Sequence, residues 1–508
     1  MQMILEQTTV NGRFGDYSLD EKQELLVDAN DSLLDRAHQN MDILEGIREM
    51  VEIESTYHRA LSGSWNRPPP SSAPPPEQRS SVPVLHMAKV TTRPQILFKD
   101  KIDNSNTPWV PGIKEKPNSL KPLAVLIEVN EEGYESYSHP YEYELDHWSP
   151  PPNQLKYQRP ELPRSLENTP YSYIETPEQL DLMMAELKDQ NALAVDLEHH
   201  SYRSFMGFTC TLQISTKAKD YIVDALTLRH RLHILNEIFT NPKIVKVFHG
   251  AENDIEWLQR DLAVYVVNMF DTYQAAKLLQ CPKLNLAYLL HHYCQLDTDK
   301  HFQLYDWRTR PLSEKAVIYA REDTHYLLYI YSRMTNELLK ASNNNTNLLE
   351  SVYQRSTETC KRKYTKPLLE EDSHMVTYRK GKRLMDNRQL FALKELYLWR
   401  DTIARREDES PGYVLPNHMM LQMADTLPRE MQGVLACCNP IPTLVRQYVM
   451  ELHQIMLRAR EQPLVKVVCN WKYCIFVYLS ISPFTFDILL EYLNYFNRYL
   501  ALSKQFHR

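Results

Sequence analysis

The sequence predicts an α/β domain, a mixed sheet with helices on its faces, followed by a second, all-helical unit. Three observations carry this. Within residues 171–340, ALAVDLE (192–198) and TLQIS (211–215) alternate apolar and polar residues with period two, while DYIVDA (220–225) and KIVKVFHG (243–250) are short apolar runs bounded by polar residues. Helix-patterned stretches at 228–239, 252–260, 272–280, 284–294 and 313–338 lie between and after those strands, an order that implies a mixed sheet flanked by helices. Residues 387–462 then carry helical periodicity alone. Leu390, Leu393, Leu396, Tyr397 and Trp399 begin one helix, Asn417 caps another, and Leu444, Val445, Val449 and Leu452 mark a third.

The rest of the chain connects or flanks these units. At 508 residues it is too long for one ordinary core. The 31 prolines against 11 glycines point to proline-rich rather than flexible connectors. Residues 1–60 read as helical, with Leu25, Leu26, Leu33, Leu34, Ile43, Leu44, Ile47 and Val51 between charged residues. Residues 61–94 are a proline-rich linker containing PPPSSAPPP. Residues 95–170 have little periodicity, but aromatic and apolar anchors in IDNSNTPWVP and HPYEYELDHW suit an extended strap lying on another domain, because disordered segments are poor in aromatics. Residues 341–386 are a polar connector. Residues 463–508 form an apolar tail, VVCNWKYCIFVYLSISPFTF at its centre; Lys472 and Pro483 interrupt it before the length of about 20 that a membrane span needs.

A net charge of −7 excludes a chain-wide basic coat and leaves room only for a local basic groove. The eight cysteines form no C-x-x-C pair, and adjacent Cys437 and Cys438 suit neither a disulfide nor zinc, so reduced thiols are expected. His199-His200 and His291-His292 are not at the i, i+4 spacing of a helical zinc site. No G-x-x-x-x-G-K-[ST] phosphate loop is present.

Five residues carry a chemical signal together that none carries alone. Asp196 and Glu198 are two apart on a strand, so they point to one face, and they follow an apolar run where free carboxylates are costly unless paired or bound to cations. Asp254 opens a helix after KIVKVFHG; alone it reads as a helix-start acid favoured by the helix dipole. Tyr319 and Asp323 are four apart on one helix face, a spacing that alone is usually structural. Four clustered carboxylates would repel and take up protons without metal. With two Mg²⁺ ions they form a hard-oxygen site able to activate a water and neutralise charge on a phosphodiester in transit. Mn²⁺ is a possible substitute.

The segments AVDLEHH, HGAENDIEWLQRD and YAREDTHYLL resemble the three motifs of DEDD exonucleases, in the subclass with Tyr in the third motif. DLEHHSYRSF, VVNMFDTYQAAKLL, QLYDWRTRPL and REDTHYLLYIY are similar, more narrowly, to the ribonuclease-D-like subunits of the nuclear RNA exosome, and GYVLPNHMML and ACCNPIP resemble that family's HRDC domain. The resemblance covers residues 95–462 and implies a ribonuclease-H-like exonuclease domain (171–340) followed by an all-α HRDC domain. It implies Asp196, Glu198, Asp254 and Asp323 as ligands of two Mg²⁺ ions, with Tyr319 positioning the attacking water. It implies His199 and Trp257 along the terminal nucleotide, and Lys300 and Gln303 near its base and phosphate.

The activity so implied is 3′→5′ exoribonuclease action on single-stranded RNA with a free 3′ end, in rRNA maturation and RNA surveillance, in nucleus and nucleolus. The implied partners are the exosome core and a small helical cofactor protein bound through residues 1–60, which resemble only the latter part of the corresponding domain. Residues 463–508 do not resemble the family's continuation; a segment packed against the protein and a misassigned sequence end are the two readings of them. Two other readings stay open on the residues alone: a catalytically silent adaptor, and a DNA exonuclease with the same site, since RNA is told from DNA by contacts to the 2′-OH.

Overall fold

The computed structural model describes residues 93–129, 133–297, 302, 305–343, 345–381 and 383–465. The readings of residues 1–92 and 466–508, and of Lys300 and Gln303, lie outside the described residues.

A six-stranded sheet organises the central domain. A small antiparallel hairpin precedes it, β1 (Ile127–Val129) with β2 (Glu135–Tyr137). The main strands are β3 (Tyr171–Ile174), β4 (Ala192–His200), β5 (Phe208–Ser215), β6 (Asp220–Asp224), β7 (Val245–Phe248) and β8 (Met269–Asp271), in the order β3-β6-β5-β4-β7-β8. β5 runs antiparallel to both neighbours, and the other pairs are parallel. The expected mixed sheet is therefore present.

Alternation along β4 separates two cores. Leu193, Val195 and Leu197 pack with α1 (Pro177–Lys188) and α2 (Glu252–Leu262) through Leu180, Met183, Ile255 and Leu258. Ala194 faces the other way, where α3 (Glu314–His325) is followed by α4 (Leu327–Ala341) and α5 (Asn347–Cys360); Leu327, Ile330, Leu349 and Val352 fill that side. Asp196 and Glu198 share the Ala194 face by the two-residue period of a strand.

Several elements differ from expectation. The span 313–338 is two helices, broken at Tyr326, so that α3 faces the sheet with one set of side chains and α4 turns another into the second core. The span 228–239 resolves into short turns, including a 3-10 turn at Leu232–Leu235 and a helix at Asn236–Phe239. The edge strands β3 and β8 are too short to show a period. Residues 341–386, read as a connector, contain α5, whose Leu349, Val352 and Tyr353 complete the second core. The strap contributes Ile113, Tyr141 and Leu145 to the first core.

The helical unit packs α6 (Asn387–Glu407), α7 (Asn417–Thr426) and α8 (Val449–Glu461) around Leu393, Leu396, Met420, Met423, Leu452 and Met456. A capping box, Asp386 with Gln389, starts α6. The β4–β5 loop ties the units together: Phe205 enters this helical core, and Arg203 makes a two-pronged contact of 2.8 and 2.9 Å with Glu409. Among the described residues, no helix is long and apolar enough to cross a membrane.

Candidate functional site

The site forms along β4 just past the end of its parallel pairing with β7, whose last partners are Ala194 and Val247. Asp196 lies opposite Gln213 and Glu198 opposite Thr211 on β5, and the register shifts immediately after Glu198. Such a bulge re-aims the residues that follow it. α3 crosses the same face and brings Tyr319 and Asp323, one turn apart, over the strand. One carboxylate oxygen each from Asp196, Glu198 and Asp323 lie within 4.8 Å of one another.

Asp254 approaches from the turn after β7. Gly250 makes that turn at φ +71°, a left-handed conformation suited to glycine. The backbone amides of Gly250 and Ala251 donate to the Asp271 carboxylate at 2.8 and 3.3 Å. α2 then begins, with Asp254 buried in its first turn. Asp254 stands outside the tight group of three but close enough for its charge to act on Glu198.

Among the described residues, the carboxylates of this cluster are raised by one another and by burial, with no cationic side chain among the causes. Burial pushes the Asp196 carboxyl up to about 7. Glu198 is pushed well above the usual carboxylate range, first by burial and then by Asp196, Asp323 and Asp254. Burial and the neighbouring Asp196 and Asp271 raise Asp254; burial, Asp196 and Glu322 raise Asp323. Hydrogen bonds pull the other way more weakly: the Tyr319 hydroxyl on Asp323, and backbone amides at Asp196 and Asp254. Burial and the three carboxylates in turn raise the Tyr319 phenol, so it stays protonated and can donate. A set made only of carboxylate oxygens, each disfavouring ionisation of the others, fits a hard divalent cation.

Beside the cluster, the His199 ring stacks on Trp257 at 4.2 Å and 6°. Arg260 donates to His199 Nε2 at 2.8 Å and is itself held by Asp261 through two contacts of 2.8 and 2.7 Å. Burial, then Arg260, pushes the His199 imidazole down to about 3, so it is neutral. Gly207, at φ +72°, leaves the space this ring occupies, because a Cβ there would overlap the imidazole. Tyr319 packs on Phe302 at 5.6 Å.

The fold thus brings Asp196, Glu198 and Asp323 together, sets Asp254 and Tyr319 beside them, and stacks His199 on Trp257. Three contributors were not read from the sequence. Asp271 ends an apolar run, the same signal that marked Asp196, yet it resembles an ordinary helix cap. Arg260 sits next to Asp261 and looks like a surface charge pair. Gly207 carries no local mark.

Comparison with known proteins agrees with this geometry. Residues 171–339 match the 3′-5′ exonuclease family and residues 389–456 the HRDC domain. The chain is 50% identical over 489 residues to the exosome complex component 10 homolog of Drosophila melanogaster, covering 92% of this chain and 54% of that protein. It is 45% identical over 377 residues to the exosome complex exonuclease RRP6 of Saccharomyces cerevisiae, covering 71% of this chain and 50% of that protein. The chain spans about half the length of the curated relatives it matches. The crystal structure of the catalytic core of RRP6 from Trypanosoma brucei superposes with a TM-score of 0.64 at 36% identity, covering 73% of this chain and 99% of that one.

Proposed function

The chain belongs to the exosome component 10/RRP6 family of exonucleases, and on that premise we propose that it is a 3′→5′ exoribonuclease releasing nucleoside 5′-monophosphates from single-stranded RNA. The observation that carries this reading is the convergence of Asp196, Glu198 and Asp323 within 4.8 Å, with Asp254 beside them.

In this reading Asp196, Glu198 and Asp323 hold one Mg²⁺, and Asp196 with Asp254 holds a second; Mn²⁺ can substitute. The bound ions supply a more acidic water and counter-charge for the phosphodiester. The chain's own groups do the positioning. Tyr319, protonated and fixed against Phe302, orients the attacking water with its hydroxyl. His199 and Trp257 present a stacked aromatic platform to the terminal nucleotide, and neutral His199 cannot serve as a cationic phosphate contact. Lys300 and Gln303 are assigned to the same nucleotide. The wider role proposed is nuclear and nucleolar RNA processing and decay with the exosome core, and with a small helical cofactor bound through residues 1–60.

The test uses purified protein on 5′-labelled single-stranded RNA and DNA of equal sequence. We expect Mg²⁺-dependent shortening of RNA from its 3′ end, abolished in Asp254→Asn. Persistent activity in that variant, or internal cutting of a 3′-blocked strand, refutes the mechanism. Equal shortening of DNA refutes the RNA preference.

A further inference from the structure

Behind the catalytic face of α3 lies a second buried polar cluster that takes no part in the proposed chemistry. Its centre is Asp220, at the start of β6 and almost fully buried. Its carboxylate accepts from Ser215 Oγ at 2.8 Å, from Arg321 Nε at 2.9 Å and from His325 Nδ1 at 3.1 Å. Ser215 Oγ also meets Thr324 Oγ1 at 2.8 Å. Three side chains within one turn of α3, at positions 321, 324 and 325, are thus bolted directly or through Ser215 to one carboxylate of the sheet. The same residues reach outward to the strap. Arg321 Nη2 donates to the carbonyls of Leu166 and Thr169, both at 2.9 Å, and His325 Nε2 faces the Arg164 carbonyl at 2.8 Å.

We infer that Asp220 is a positioning residue: through Arg321, His325 and Ser215–Thr324 it fixes the rotation of α3, and so the placement of Asp323 and Tyr319 over β4. The inference rests on the nuclease reading, in which Asp323 is a metal ligand. Residue 321 lies two positions from 323, about 200° around the helix, so the bolted flank and the catalytic flank are nearly opposite. Side-chain ends stand about 5–6 Å from a helix axis. A rotation of only about 20° would therefore carry the Asp323 oxygens about 2 Å, against the roughly 0.2 Å tolerance of a metal–oxygen distance. The carbonyls of Arg164, Leu166 and Thr169 extend the clamp, tying the strap just before β3 to the helix that completes the metal site.

The experiment measures Mn²⁺ binding to the whole protein by calorimetry, without RNA, alongside the melting temperature in chelator. The variants are Asp220→Asn, Arg321→Lys, Ser215→Ala and, as a stability control on the far side of the sheet, Met184→Ala. We expect Asp220→Asn to weaken Mn²⁺ binding about tenfold, Arg321→Lys and Ser215→Ala by about threefold, and Met184→Ala not at all despite a lower melting temperature. Wild-type Mn²⁺ affinity in a folded Asp220→Asn overturns the inference, as does unchanged affinity in both Arg321→Lys and Ser215→Ala where Asp220→Asn does not fold. A wild-type protein that binds no Mn²⁺ refutes the nuclease reading itself, a different result from variants that bind as well as wild type.

Discussion

Replacing Asp196 with Asn should stabilise the metal-free protein, most of all at neutral pH. The Asp196 carboxyl is raised from 3.8 to about 7 by burial. The folded protein therefore keeps a proton that the unfolded chain has released, and the associated stability is present in full below 3.8 and is lost as pH rises through about 7. A shift of about 3 units costs about 4 kcal/mol above pH 7, of which about 2 kcal/mol is already lost at pH 5. Asn replaces the carboxyl at nearly the same volume and carries no such penalty. In chelator, Asp196→Asn should melt above wild type at about pH 7.5, and the gap should narrow by about 2 kcal/mol, roughly 4–8 °C, on going to about pH 5. The difference between the two proteins is the quantity to follow, because the raw profiles also contain buried histidines of opposite sign. His139 is pushed down to about 3 and His249 to about 4, chiefly by burial, so their contribution is present above 6.5 and is lost as pH falls toward those values. Saturating Mg²⁺ should stabilise wild type and leave the variant nearly unmoved, reversing their order. A pH-independent difference in chelator, or a variant less stable than wild type at neutral pH, refutes the argument that these carboxylates oppose folding until a cation arrives.

Three further outcomes follow from single contacts. Gly207→Ala should destabilise by roughly 1–3 kcal/mol in urea unfolding, since φ is +72° and the added Cβ overlaps the His199 ring; it should also raise the KM for RNA, because His199 must leave Trp257. Phe205→Ala should remove about 3 kcal/mol of packing between the exonuclease and helical units, and calorimetry should then resolve two transitions where wild type shows less separation. Lys246 is buried and desolvation drives its pKa down, with Nζ facing the carbonyls of Ile238, Asn241 and Ile244; Lys246→Met should cost about 1–3 kcal/mol by removing the side-chain donor from this group, of which Ile238 and Asn241 keep a backbone N–H, measured by urea unfolding with Mg²⁺ binding unchanged.

The parts of the site that could be read in the sequence share one physical property: their signal is local. Asp196 and Glu198 interrupt an apolar strand at a two-residue spacing, and Tyr319 and Asp323 share a helix face, so a few residues of context give both their direction and their cost. The long strands and most helices were legible for the same reason. What was not legible depends on partners distant in sequence. Arg260 meets His199 across 61 residues, and Asp220 meets Arg321 across 101 and His325 across 105. Each of these charges has an unremarkable neighbourhood in the chain and acquires its meaning only when the sheet closes. β3 and β8 fail for a related reason: four and three residues are too few to display a period, and their pairing is imposed by β6 and β7. The break at Tyr326 is also a tertiary demand, because a continuous helix would follow one face, whereas α3 must meet the carboxylates of β4 and α4 must fill the core beneath Ala194. The division has a consequence for mutagenesis. Substitutions at the legible carboxylates remove ligands and should abolish activity outright, while substitutions at Asp220 and its partners leave every ligand in place and should degrade metal affinity by degrees. A graded loss at Asp220 beside a complete loss at Asp254 is therefore the pattern that separates positioning from chemistry in this site.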